Sequence, residues 1–164
     1  MSHFLYIHKD MSGTPDVWKP GIAMLPYSAV RARQKFMWNQ FELNYLFFGR
    51  PRHIVFLEKT IKSHFSYCSG KALQGFGGQT ELFQVKEEDL LFFIRSTIAQ
   101  RNLTIKEILL EKPYTASNSG QCPFGCPTEA YAENWCNNKA VELFGKDNYR
   151  SGKDMFDQLF EVNN

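Results

Sequence analysis

His3-Phe4-Leu5-Tyr6-Ile7-His8-Lys9 and, after the connection Asp10–Asp16, Val17-Trp18-Lys19-Pro20-Gly21-Ile22-Ala23 decide the fold. Successive side chains of a strand point to opposite faces of its sheet. Phe4, Tyr6 and His8 alternate with Leu5 and Ile7, and both sets are mostly apolar, which predicts a strand covered on both sides. Gly13 and Pro15 mark the connection as a turn between strands. Within the second segment, Pro20 removes a backbone donor and Gly21 removes a side chain, so this strand is expected at an edge or an irregular position.

The rest of the chain builds outward from that pair. Pro26 and Ser28 open a helix to about Trp38, with Ser28 as its cap. Phe41–Phe48 predicts a third strand, ended by Gly49-Arg50-Pro51, and His53–Phe65 a second helix. A Gly- and Ser-rich loop over Tyr67–Thr80 leads to a short strand over Glu81–Val85. An amphipathic helix follows from Lys86 to about Arg101, with Leu90, Leu91, Phe93, Ile94 and Ile98 on its inner side and Glu87 and Glu88 at its positive end. This order predicts an α/β (α+β) sandwich: a small three-stranded, mostly antiparallel sheet flanked by helices. The character of the chain changes near Asn102, so residues 1–101 are read as one domain and 102–164 as a mainly helical extension. Leu103–Tyr114 fits strand or helix, Ser117–Pro127 reads as a Gly/Pro/Cys loop, Thr128–Phe144 as a helix, and Asp154–Val162 as one further turn or two.

Composition narrows the classes. Of 164 residues, 43% are hydrophobic and 22% charged, enough for a core and unlike a disordered chain. No apolar run of about 18 residues predicts a membrane span. The N-terminus lacks the pattern of a signal peptide, so the expectation is a cytoplasmic, non-secreted protein. In that compartment Cys68, Cys122, Cys126 and Cys136 are thiols or metal ligands rather than disulfides. The net charge of +2 conceals an asymmetry: residues 1–74 hold ten Lys/Arg against four Asp/Glu, and residues 75–164 nine against thirteen. A basic half suits a polyanion such as nucleic acid, as well as an ordinary solvated surface.

Glu58 is the most informative single residue. At helical spacing it falls beside Ile54 and Phe65 on the apolar stripe of the second helix, while Lys59, Lys62 and Ser63 take the far side. A carboxylate at the rim of a core requires compensation by a cation, by hydrogen bonds or by water. A bound metal ion and a structural Arg are both open at this point.

Five segments together resemble the GIY-YIG nuclease superfamily over residues 1–101. Phe4–Asp10 with Trp18–Ala23 is similar to its opening hairpin, and Lys19-Pro20-Gly21-Ile22 to the branch, common in phages and bacteria, that reads K-I-G in place of Y-I-G. Ala29-Val30-Arg31-Ala32-Arg33-Gln34 resembles the arginine-bearing first helix of that branch. Ile54–Ile61 resembles the helix with the metal-binding glutamate, and Gly78-Gln79-Thr80-Glu81-Leu82-Phe83 the closing segment. Phe4 stands where the family has glycine, Pro20 where it has isoleucine, and the stretch from Gly21 to the arginine is about two residues longer than the family's.

The resemblance implies a metal-dependent endonuclease that hydrolyses phosphodiester bonds of double-stranded DNA with a single Mg²⁺ or Mn²⁺ and a water nucleophile. Tyr6 would help to deprotonate the water, Lys19 stands at the second tyrosine's place, and Arg31 would hold the scissile phosphate, with Arg33 competing for that role. Glu58 would bind the metal. His8, Lys9, Gly21 and Tyr27 are candidates for the substrate side; apart from the resemblance, Lys9, Arg50 and Arg52 read either as cations that track a DNA backbone or as ordinary surface charge. A homo-oligomer would present two such sites to two strands. The competing expectation is a catalytically inactive module that binds DNA or protein. Separately, Cys122, Cys126 and Cys136 have the spacing of a structural Zn²⁺ site, but a fourth ligand is not evident, and packed free thiols are the plainer reading.

Overall fold

The computed structural model describes residues 3–11, 13–24, 41–66, 82–114 and 129–145, excepting the side chains of 129–133, 135 and 136. Its elements are β1 (Phe4–Asp10), β2 (Val17–Ala23), β3 (Phe41–Gly49), α1 (Pro51–Phe65), β4 (Phe83–Gln84), α2 (Glu87–Gln100), β5 (Ile105–Ile108) and α3 (Glu129–Phe144). The expected helix over Pro26–Trp38, the loops and the last turns fall outside the described residues.

The architecture is the expected α+β sandwich, with five strands instead of three. The sheet is antiparallel, in the order β4-β2-β1-β3-β5. Central β1 is the strand whose two apolar faces were plain in the sequence, and Phe4, Leu5 and Ile7 have no exposed surface. β4 pairs only with Val17 and Trp18, so among the described strands nothing lies beyond β2 from Lys19 onward. Pro20 sits on that open stretch, where a missing N–H breaks no ladder. The ambiguous Leu103–Tyr114 segment resolves into β5 against β3, plus a bridge in which Leu43 and Tyr114 exchange backbone hydrogen bonds of 2.7 and 3.1 Å. Four residues carry too little periodicity to distinguish strand from helix, so the pairing partner decides.

Each face of the sheet has its own layer. Leu5, Ile7, Trp18 and Phe47 pack beneath α1 and α2 with Ile54, Leu57, Ile61, Leu90 and Ile94. The Trp18 indole N–H donates to the Val85 carbonyl at 2.9 Å, which ties β2 to the entry of α2. The other face carries Phe4, Tyr6, Leu43, Leu46 and Phe48 with Ala140 of α3, so the segment beyond residue 101 supplies both a strand and part of the core. Leu43 and Leu46 share this face despite their odd spacing because β3 bulges at Asn44: His8 pairs with Leu43 and Ile7 with Tyr45. The Asn44 amide donates to the carbonyl and carboxylate of Glu42, which satisfies the side chain of the extra residue.

Candidate active site

The register of the hairpin places the polar residues. Tyr6 pairs with Gly21 and His8 with Lys19, so all four project toward the same face. Directly opposed residues on antiparallel strands have Cβ atoms about 5 Å apart. The Tyr6 and His8 rings lie 4.7 Å apart, centroid to centroid, and His8 lies 6.3 Å from Phe41. A Cβ added at Gly21 would overlap the Tyr6 ring and hydroxyl. Only glycine therefore lets the phenol lie across β2, and this accounts for a glycine in mid-strand.

This part of the face is buried and chemically mixed. Tyr6 is 5% exposed, His8 2% and Lys19 0%. Asp10, also 2% exposed, pairs with Phe41 and extends the same row of side chains. An ammonium, an imidazole, a phenol and a carboxylate thus gather on two neighbouring strands, where burial raises the strength of every electrostatic interaction. Sequence reasoning missed Asp10 by treating it as the first residue of the turn; its even spacing from Tyr6 and His8 was the available signal. Lys9 points to the other face and sits 5.5 Å from the Trp18 ring centroid, a cation–π contact rather than part of this group.

Glu58 occupies the apolar stripe of α1 as the spacing indicated, with Ile54, Leu57, Ile61 and Phe65 buried beside it. Its carboxylate pairs with Lys62 one turn along the helix. The layer containing α1 covers the Leu5–Ile7–Trp18 face, so the described residues bring together Tyr6, His8, Lys19 and Gly21 but not Glu58. A hard cation accepts carboxylate oxygen, and a single Mg²⁺ is often held by one or two carboxylates with water and phosphate completing its shell. Glu58 fits that role by chemistry, with Lys62 as a competitor for its oxygens. Asp10 fits it by position. Among the described residues no three His, Cys, Asp or Glu side chains gather as a metal cluster.

Tyr27, Arg31 and Arg33 lie outside the described residues, as do Cys68, Cys122 and Cys126; Cys136 falls within α3, but its side chain is not described. The start of α1 is well defined. The Arg50 N–H donates to the Thr104 carbonyl at 2.9 Å, and the Thr104 N–H donates to His53 Nδ1 at 2.8 Å. Burial and the neighbouring Arg52 and Arg50 charges lower the His53 pKa to about 4. No helix among the described residues is long and apolar enough to cross a membrane. The chain matches no family model, and no characterised protein or solved structure is significantly similar to it.

Proposed function

We propose that the protein is a metal-dependent DNA endonuclease of the GIY-YIG type, cleaving phosphodiester bonds of double-stranded DNA with a water nucleophile. The supporting observation is the register that buries Tyr6, His8 and Lys19 together over Gly21. These are the residue types and strand positions that the resemblance assigns to the chemistry. A divalent ion, Mg²⁺ or Mn²⁺, would polarise the phosphodiester when bound. The protein's own groups would do the rest: the phenol of Tyr6 would take a proton from water as its own passes to His8, and the Lys19 ammonium would offset charge that builds on the phosphate. Arg31 or Arg33 would add a guanidinium fork to the phosphate.

Two lines of support part at the metal ligand, since the resemblance names Glu58 and the shared face names Asp10. The placement of Glu58 on the opposite layer also favours a second reading, an inactive module that binds DNA or a protein partner. Plasmid nicking separates them. With Mg²⁺ or Mn²⁺ the wild type converts supercoiled to relaxed DNA, and a chelator stops it. Tyr6→Phe and Lys19→Met lower the rate about 100-fold, the scale expected for loss of one acid–base or charge-stabilising group. Whichever of Glu58→Gln and Asp10→Asn abolishes nicking identifies the ligand. Absence of nicking by wild type with either metal, with DNA binding retained, establishes the inactive module.

A further inference from the structure

A second feature lies away from the Tyr6 face. The start of α1, the end of α2, the opening of β5 and the end of α3 enclose an open cleft of about 750 Å³. Arg50, Arg52, Arg101 and Lys106 line it, together with His53, and no carboxylate does among the described residues. Its cations come from separate elements rather than from one helix face.

Three details add to the positive character of this end of the helix. Arg50, the N-cap residue of α1, makes no side-chain capping bond, and the first turn of this 15-residue helix holds no acid. The positive end of the helix dipole therefore coincides with two guanidinium groups, the reverse of the favourable arrangement. Nearby His53 is uncharged at neutral pH, because burial and Arg52 and Arg50 oppose its protonation. Since its Nδ1 accepts the Thr104 N–H, its own proton resides on Nε2, which adds a neutral donor to the site. Such a concentration of like charge carries a cost in self-repulsion that a bound polyanion removes.

We propose that this cleft is a docking site for successive phosphates of a nucleic-acid backbone. Its size exceeds one phosphate group, and cations spread over three elements suit a row of phosphates better than a single ion. The inference does not depend on turnover at the Tyr6 face.

The test uses the full chain and a fluorescent duplex of about 20 base pairs, titrated between about 50 and 200 mM salt, where each lost phosphate contact lowers the log–log slope by about 0.9. Arg52→Gln/Arg101→Gln/Lys106→Gln should weaken binding at least tenfold and flatten the slope by about three contacts' worth. Should the triple variant fold poorly, the exposed pair Arg101→Gln/Lys106→Gln should flatten it by about two. Lys59→Gln, an exposed cation outside the cleft, should leave the slope within error of wild type. A wild-type slope in the triple or double variant overturns the proposal, as does thermal stabilisation by inorganic phosphate that duplex DNA cannot replace, which would mark a small-anion site. Loss of nicking with this slope effect intact refutes the endonuclease alone; an unchanged slope with nicking intact refutes the cleft alone.

Discussion

The two faces of the sheet are built from the same strands and differ in what they bury. Beneath α1 and α2 the centre of the face is apolar: Leu5, Ile7, Trp18 and Phe47 meet Ile54, Leu57 and Ile61 with no exposed surface, and Lys9, Tyr45 and Glu58 bring polar groups only beside it. The reverse face begins in the same manner with Phe4, Leu46 and Phe48, then turns polar along β1 and β2 at Tyr6, His8, Asp10 and Lys19. Burying apolar surface stabilises a fold by roughly 1.5–3 kcal/mol per large side chain, whereas burying an ammonium or carboxylate costs several. One face therefore holds the molecule together, and the other carries groups that stability alone does not select.

The strongest challenge to that division is Leu57→Ala, which cuts a hole in the apolar layer. It should cost about 2–5 kcal/mol, read as a lower urea midpoint at unchanged slope. A cost below that of polar-face substitutions would invert the comparison. Gly21→Ala comes next. The added methyl meets the Tyr6 ring, and overpacking of this kind costs about 1–3 kcal/mol. Adding Tyr6→Ala should return part of that loss, so the double mutant should be more stable than the sum of the two single changes implies. Strict additivity would show that the ring does not lie where the register places it.

The smallest effect concerns pH. Burial and the N-terminal charge lower the His3 pKa to about 4, and burial and the neighbouring arginines lower that of His53 to about 4. Above pH 6.5, the ordinary histidine value, both are neutral folded or unfolded. As pH falls from 6.5 toward 4, the unfolded chain takes up protons that the folded chain resists, so stability declines. His53→Gln should make the melting temperature fall less between pH 7 and 5. Both histidines flank the passage from β3 into α1, so an unaltered pH profile in the variant would move the acid sensitivity back to the buried polar face.

Much of this was legible in the sequence where periodicity was long. β1 and β2 could be read from alternation, and the burial of Glu58 from the spacing of Ile54, Leu57, Ile61 and Phe65. The short strand expected over Glu81–Val85 is present as β4, but its pairing with β2 was not legible. β5 is short enough that only its partner defines it, so the sheet has five strands instead of three. The bulge at Asn44 depends on the facing strand and has no local signature. Asp10 was hidden by a nearby turn signal, and the basic cleft was hidden because its cations lie more than fifty residues apart at the extremes. The opposition of Glu58 to Tyr6 across the sheet is a property of layer order, which a helical wheel does not contain.

The extra residue at Asn44 has a consequence for anyone rebuilding this scaffold. β3 obeys one in–out rule before that position and its mirror after it, like a zip with one doubled tooth. Deleting Asn44 would return the strand to a single rhythm. Either Phe41 and Leu43 or Leu46 and Phe48 would then be turned toward the wrong helices, while the intact pattern keeps both pairs on the side that Tyr6 and His8 occupy.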